Sequence, residues 1–371
     1  MYLKHLSLRQ FRNYQEQIVE FTAPKTILVG SNAQGKSNLL EAIELLATLK
    51  SHRTSRDRDL ISQDSPTGQI QARLSRQYTD VELAIVLRSG SRRTVAVNQQ
   101  NLRRQLDFLG NLNAVQFSSL DLELVRGGPE LRRAWLDSIL VQLEPVYAHI
   151  LQQYQHILRQ RNALLKHLAN LGAESNPELA LWDEQLVTIG TKVARRRARA
   201  IDRLAPLAQT WHSAISDRSE NLEIIYQPNI PGEDPQQLHF NFFNKIQQRR
   251  IPELRQGTTL VGPHRDDILL QIDQNPAKGY ASQGQQRTLV LAIKLAELKL
   301  IEAVLGEPPL LLLDDVLAEL DLHRQNQLLG VIQERFQTVI TTTHLGLFDA
   351  EWLHSSQILQ VNAGKISPSS G

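Results

Sequence analysis

The sequence predicts an α/β fold: a largely parallel sheet entered through a strand–loop–helix unit, an antiparallel β-subdomain, and a helical lobe inserted into the chain. Three observations carry this. Thr26-Ile27-Leu28-Val29 is a short apolar run ending at Gly30-Ser31-Asn32-Ala33-Gln34-Gly35-Lys36-Ser37, after which residues 38–46 repeat apolar side chains at helical spacing. Leu310-Leu311-Leu312-Leu313 is a second buried-strand run, closed by Asp314-Asp315. Between them, beyond Gly127-Gly128-Pro129, the pattern changes from strand-rich to long helix.

At 371 residues the chain exceeds one ordinary core, so two lobes are expected. They are placed at residues 1–125 with 256–371, and at 126–255. Apolar residues make up 41%, but no apolar run is long enough to span a bilayer. Met1-Tyr2-Leu3-Lys4-His5 passes straight into a strand pattern with no signal peptide. The absence of cysteine excludes disulfides, thiolate metal sites and cysteine nucleophiles. Together these features fit a cytoplasmic protein with no membrane partner. A net charge of +2 means that any attraction to nucleic acid comes from local patches.

Residues 2–8 and 17–21 read as strands joined by the polar turn Arg9-Gln10-Phe11-Arg12-Asn13-Tyr14. Arg12 either reaches a phosphate or base beside the glycine loop, or lies on a solvated turn. The loop itself has the form GxxxxGK[ST], in the strand-to-helix context the phosphate loop requires. Glycines let successive N–H groups face inward, and the helix N-terminus adds partial positive charge. Lys36 then reaches the β- and γ-phosphates and Ser37 ligates Mg²⁺. The alternative is a Gly-rich turn with an incidental lysine. The flanking strand and helix favour nucleotide binding.

Residues 69–77, 81–87 and 92–98 alternate between turns as an antiparallel meander. Residues 114–117 form a short strand whose Gln116 either orients water or Mg²⁺, or faces solvent. In the inserted lobe, apolar residues from Leu140 to Leu168 and from Leu179 to Trp211 recur at threes and fours, with a turn at 172–177. That spacing predicts an antiparallel helical hairpin. Its second helix carries Lys192, Arg195, Arg196, Arg197, Arg199 and Arg203. This is a DNA-contacting stripe or an ordinary solvated face.

Residues 226–237 read as a loop, followed by helix to about 255. Thr259-Leu260-Val261-Gly262-Pro263-His264-Arg265-Asp266-Asp267 places four polar side chains in a row. Neighbouring strand residues point to opposite faces, so positioning near nucleotide or DNA is expected over a zinc site. Ser282-Gln283-Gly284-Gln285-Gln286-Arg287 opens a helix, as capping residues or as an anion site. Asp314 and Asp315 then stand at the carboxyl edge of the sheet, where ligands bind in open α/β folds. Asp314 would hold the metal and Asp315 would polarise the attacking water. His344 follows the next strand, residues 339–341, either as a surface residue or as a γ-phosphate contact.

Taken together, the glycine loop, the Ser282 stretch, the Leu310–Asp315 strand and the Ala318-Glu319-Leu320-Asp321 turn resemble the ABC-type ATPase heads of the SMC class. Phe11-Arg12-Asn13-Tyr14, the 259–267 stretch and the 311–321 stretch narrow the resemblance to the RecF family of bacterial recombination and repair ATPases. The resemblance covers essentially the whole chain. It implies an ABC/SMC-type head with an inserted helical arm, ATP and Mg²⁺ as cofactors, and binding to single-stranded or gapped DNA. It further implies an ATP-dependent homodimer, and loading of RecA with RecO and RecR in fork recovery and SOS induction. By the same carry-over, Lys36 and Ser37 are phosphate-loop residues and Ser282, with Gly284, is the signature serine segment. Asp314 becomes the Mg²⁺ ligand and Asp315 the second carboxylate, while His344 matches the switch histidine of ABC ATPases. Two other readings share the motifs: a transporter ATPase subunit, and an ATP-switched DNA scaffold whose hydrolysis is incidental.

Overall fold

The computed structural model describes residues 1–77, 79–171, 176–216, 220–332 and 335–368. Strands β1 (Tyr2–Phe11), β2 (Tyr14–Glu20) and β3 (Lys25–Val29) lead into α1 (Lys36–Thr48). Then come β4 (Thr67–Ser75), β5 (Asp80–Arg88), β6 (Thr94–Val97), β7 (Gln100–Asn101) and β8 (Ala114–Ser118). The middle of the chain holds α2 (Glu123–Arg126), α3 (Pro129–Leu143), α4 (Pro145–Leu171), α5 (Pro177–Ile215) and β9 (Leu222–Gln227). It continues with α6 (Pro235–Gln256), β10 (Asp267–Ile272), β11 (Asn275–Pro276) and α7 (Ala277–Tyr280). Last are α8 (Gln283–Leu305), β12 (Leu310–Asp314), α9 (Leu322–Ile332), β13 (Thr338–Thr342), α10 (Ala350–His354), β14 (Ser356–Asn362) and β15 (Lys365–Pro368).

Two compact units result: Met1–Leu122 with Arg287–Gly371, and Glu123–Gln286. The first contains a sheet ordered β15-β14-β3-β13-β12-β8, parallel except for the edge strand β15. Its central strands β3, β13 and β12 are buried on both faces, which is why Leu310–Leu313 reads as a continuous apolar run. A second sheet, β2-β1-β4-β5-β6-β7, is antiparallel, and β4 and β5 alternate buried residues with exposed or half-buried ones. Helix α1 belongs to the same core as both sheets: Leu39, Ile43 and Leu46 cluster with Leu6, Ile70 and Ile85 and with Leu310 and Leu312. Each such side chain, fully buried, contributes roughly 1.5–3 kcal/mol. Because α1 is buried nearly all round, its first turn is held rigidly at the edge of the parallel sheet.

In the second unit, α4 and α5 pack along each other, as the apolar spacing predicts. Most of the turn expected at 172–177 lies outside the described residues. Three other expectations change. The helix read through Leu140 and Leu143 breaks at Glu144, because Pro145 has no N–H to donate and instead starts α4. Tyr226 and Gln227, read as the start of a loop, close strand β9, which pairs antiparallel with β10. That pairing also places residues 256–286, assigned from the sequence to the first lobe, in the helical unit.

The stretch 259–267 is not an open ligand surface; it belongs to a buried polar network. Arg161 is fully buried and donates to Asp183 (2.8 Å), Glu253 (2.6 Å) and Thr259 (2.8 Å). His264 meets the Tyr154 hydroxyl at 2.7 Å and the Thr259 carbonyl at 3.1 Å, and burial pushes its pKa down to about 4. Asp266 accepts from Tyr226 and from the Asn229 amide, and burial raises its carboxyl above the ordinary value. Asp267 receives both forks of Arg132, at 2.8 and 2.9 Å. Every charge here has a partner, so deleting one strands the others. Arg161→Met should therefore cost about 3–5 kcal/mol, leaving Asp183 and Glu253 buried without their shared cation. Urea unfolding monitored through the helical unit checks this; a loss below about 1 kcal/mol would show that the network relaxes around the gap.

Candidate functional site

The glycine loop leaves β3 at the carboxyl edge of the parallel sheet, and two segments distant in sequence grip it. Gly30 N–H donates to the Thr342 carbonyl at 3.2 Å, tying the loop to β13. The β1–β2 turn grips one side: Asn13 Nδ2 donates to the Gln34 carbonyl at 2.9 Å, and the buried Tyr14 hydroxyl donates to the Gly35 carbonyl at 2.9 Å. The β14–β15 turn grips it as well, with Gly364 N–H on the Gln34 carbonyl (3.0 Å) and Ala363 N–H on Gln34 Oε1 (2.7 Å). Two positions in this clamp require glycine. Gly35 has φ +118°, and a Cβ there would lie 2.7 Å from the Asn13 amide. Gly364 has φ +75°, and a Cβ there would lie 2.2 Å from the Asn13 carbonyl oxygen.

Lys36 is 4% exposed and curls back over the loop, donating to the Gly30 carbonyl (2.7 Å) and the Ser31 carbonyl (3.0 Å). With Ala33 at φ +64° and Gly35 at +118°, the backbone turns through left-handed positions that form an anion-binding concavity. Ser31, Asn32 and Ala33 form its exposed rim. Ser37, in the first turn of α1, donates from Oγ to Asp314 Oδ1 at 2.8 Å. Thr341 on the neighbouring strand donates to the same oxygen at 2.9 Å and accepts the Asp315 N–H at 2.8 Å. Asp315 adopts φ +54°, a left-handed conformation costing roughly 1–3 kcal/mol and frequent at functional sites. The structure thus brings together Lys36, Ser37, Asp314 and the Asp315 backbone.

Gln116 lies on β8, opposite Leu312 of β12 and two residues before the Ser118–Asp314 pair, so it shares the face of Asp314. Its Nε2 and Oε1 are both buried and have no partner in the protein. The reading in which it faces solvent is therefore excluded. Arg12 does not face the loop: its guanidinium takes both Glu41 oxygens (2.8 and 2.6 Å) and the Asp59 carbonyl (2.6 Å). Burial pushes the Glu41 carboxyl up, but hydrogen bonds from Arg12 and Ser51 outweigh it and hold the pKa below its ordinary value. Arg12 thus anchors its turn to α1, and through that turn Asn13 and Tyr14 hold the loop. His344 is exposed beyond β13. Ser282 and Gly284 belong to the helical unit, where Ser282 caps α8.

The basic stripe on α5 divides. Lys192, Arg195, Arg199 and Arg203 are exposed, and Arg196 is half-buried. Arg196 and Arg199 share Glu144, at 2.9 and 3.4 Å. Arg197 is a correction: it is 4% exposed and paired at 2.9 Å with both Asp137 oxygens, so it belongs to the core and not to a DNA surface. Among the described residues no group of three or more His, Cys, Asp or Glu is arranged to hold a metal. The acidic turn after β8 is also structural, since Asp121 accepts the Ser118 N–H and pairs with the buried Lys294 at 2.9 Å. Sequence reasoning missed Thr341 and Gly364 as site residues, and saw Asn13 and Tyr14 only as part of a family motif. Their roles come from contacts that no local pattern announces: Asn13 and Tyr14 lie 21 residues from the loop carbonyls they hold, Thr341 lies 27 from Asp314, and Gly364 comes from the other end of the chain.

A glycine-bounded loop around a buried lysine, at the carboxyl edge of a parallel sheet and beside a strand-tip aspartate, defines a phosphate-loop nucleotide-binding head. Residues 2–365 match the RecF/RecN/SMC N terminal domain family, and the chain belongs to that family. It is 68% identical to the DNA replication and repair protein RecF of Nostoc punctiforme, over 99% of this chain and 100% of the relative. The protein of the same name in Synechocystis sp. is 64% identical, over 99% of this chain and 98% of the relative. A solved structure of the recombination mediator protein RecF-ATPrS in the RecFOR pathway is 31% identical, with TM-score 0.92, over 100% of this chain and 98% of that one. A solved SMC head bound to the C-winged helix domain of ScpA, at 15% identity and TM-score 0.56 over 99% of this chain and 96% of that one, shares the fold. The transporter alternative is not favoured by these relatives.

Two substitutions separate the parts of the site. Lys36→Ala should weaken ATP binding by removing the side chain inside the loop. Gly364→Val, far outside the loop in sequence, should weaken it too by driving the β14–β15 turn off Asn13. Fluorescent-nucleotide titration of both variants checks this; unchanged affinity in Gly364→Val would show that the loop holds its shape without the clamp.

Proposed function

We propose that the chain is an ATP-driven DNA-binding protein of recombinational repair and replication-fork recovery. It acts as a weak, Mg²⁺-requiring, DNA-dependent ATPase in the cytoplasm. The observation that carries this is the Ser37–Asp314–Thr341 cluster beneath a loop closed around Lys36. The donor set is hydroxyl, carboxylate and amide oxygens, which suits a hard divalent cation. The two orphaned polar atoms of Gln116 fit the same reading, since a buried amide without partners calls for a water or an ion. Held by Ser37 and Asp314, Mg²⁺ would supply positive charge against the phosphates of the nucleotide.

The chain's own residues supply the rest. The loop backbone from Gly30 to Gly35 cradles the phosphates, Lys36 neutralises them, and Ser37 with Asp314 holds the metal. Asp315 accepts the proton of the attacking water, and Gln116 and His344 orient groups around the γ-phosphate. Ser282 and Gly284 close on the nucleotide of a second copy, so ATP joins two heads into a homodimer clamped on single-stranded or gapped DNA. Hydrolysis releases the clamp. RecO and RecR are the partners through which it helps load RecA and supports SOS induction. These partners follow from membership of the family and from the RecFOR setting of the similar structure. No helix among the described residues is long and apolar enough to cross a membrane.

Two variants test the composite site. Ser282→Arg places a bulky cation at the closing surface, so it should bind ATP yet remain monomeric. Asp315→Asn keeps the shape but cannot accept a proton, so it should dimerise, persist on DNA and turn over very slowly. Sedimentation with ATP reads both; normal dimerisation of Ser282→Arg rejects the composite site. DNA binding is tested on the exposed face of α5. Neutralising Lys192, Arg195 and Arg203 should flatten the log–log salt dependence by roughly 2 to 3. An unchanged slope would make that face merely solvated.

A further inference from the structure

Ser282 sits at the cap of α8 in a reciprocal arrangement. Its Oγ accepts the Gln285 N–H at 3.2 Å, and Gln285 Oε1 accepts the Ser282 N–H at 2.8 Å. This is a capping box, with glutamine at the third helical position. A glutamine amide is nearly symmetric in shape, and only one of its two orientations presents an acceptor to Ser282 N–H. The other would set donor against donor. Something must choose. The other end of the same amide, Gln285 Nε2, donates to Glu220 Oε1 at 2.9 Å. An ionised carboxylate only accepts, so Glu220 forces Nε2 toward itself and Oε1 toward Ser282.

Glu220 is itself tied to α5. Its Oε2 lies 3.6 Å from Nε2 of the fully buried His212. Its neighbour Asn221 accepts from Gln209 of α5 at 2.7 Å and donates from its backbone to Asp273 Oδ1 at 2.8 Å. We infer that Glu220 is a positioning residue for Ser282: acting through the Gln285 amide, it fixes the serine hydroxyl that closes on a second copy's nucleotide. It also makes α5, the helix bearing the exposed Lys192, Arg195 and Arg203, the support of that serine. The inference rests on the proposed role of Ser282 in head closure.

The test is sedimentation of the full chain with ATP, alongside nucleotide titration. Glu220→Ala should need roughly tenfold more protein to reach half-dimer, the factor expected for one hydrogen bond to a charged group, with nucleotide affinity of the single chain unchanged. Gln285→Glu alone faces two carboxylates across the relay and should be impaired at least as much. The exchanged pair, Glu220→Gln with Gln285→Glu, rebuilds both bonds: the amide now at 220 donates to the carboxylate now at 285, which still accepts the Ser282 N–H, and dimerisation should return to within about twofold of wild type. Recovery in the exchanged pair also separates positioning from a general folding defect. Wild-type dimerisation by Glu220→Ala while Ser282→Arg stays monomeric overturns the relay and leaves the composite site standing. Failure of the exchange to restore dimerisation overturns the relay as well. Normal dimerisation by Ser282→Arg overturns both.

Discussion

One hydrogen bond, from Ser37 Oγ to Asp314 Oδ1, joins residues 277 positions apart and can form only if both ends of the chain build one sheet. That requirement explains much of the first unit. Strand β3, which delivers the loop, lies between β13 and β14 from the other end of the sequence. Helix α1, which presents Ser37, is buried nearly all round and cannot drift. Thr341 then holds both the Asp314 carboxylate and the Asp315 amide, so the two acids at the strand tip are set by one hydroxyl.

The phosphate loop is positioned less by its own sequence than by what surrounds it. Asn13, Tyr14 and Gly364 fix its backbone carbonyls, Ala363 fixes the Gln34 side chain, and the Arg12–Glu41 pair fixes the turn that carries Asn13. Glu41 is fully buried, and the bidentate Arg12 guanidinium, with Ser51 and Arg53 beside it, keeps its carboxylate charged. The helical unit follows the same rule on a larger scale. Arg161, Arg197 and Arg132 each hold buried or half-buried carboxylates, which gives the unit a defined polar interior as well as an apolar one.

Legibility in the sequence tracked locality. The strand–loop–helix around Lys36 and the apolar strand ending at Asp314 were readable because each is specified within about ten residues. The α4–α5 pairing was readable because helical periodicity is long and redundant. Arg197 was misread because one turn of a helix mixes core and solvent positions, and an arginine paired with two buried oxygens looks, in sequence, like its exposed neighbours. The polar run at 264–267 suggested a ligand site for a related reason: charge in sequence does not say whether its partner is a ligand or a distant side chain. The break at Glu144 was available in the sequence, since Pro145 excludes a continuous helix, but the apolar spacing runs through it and masked it.

The central claim is that a working ATP site needs the phosphate loop of one chain and Ser282 of another. Mixing two defective variants, Lys36→Ala and Ser282→Ala, and measuring ATP turnover tests it most directly. In the mixed dimer the intact loop of the serine variant faces the intact Ser282 of the lysine variant. Turnover should therefore rise above the sum of the two proteins measured separately. A mixture that gives no more than that sum would contradict the shared site and place the whole reaction within one chain.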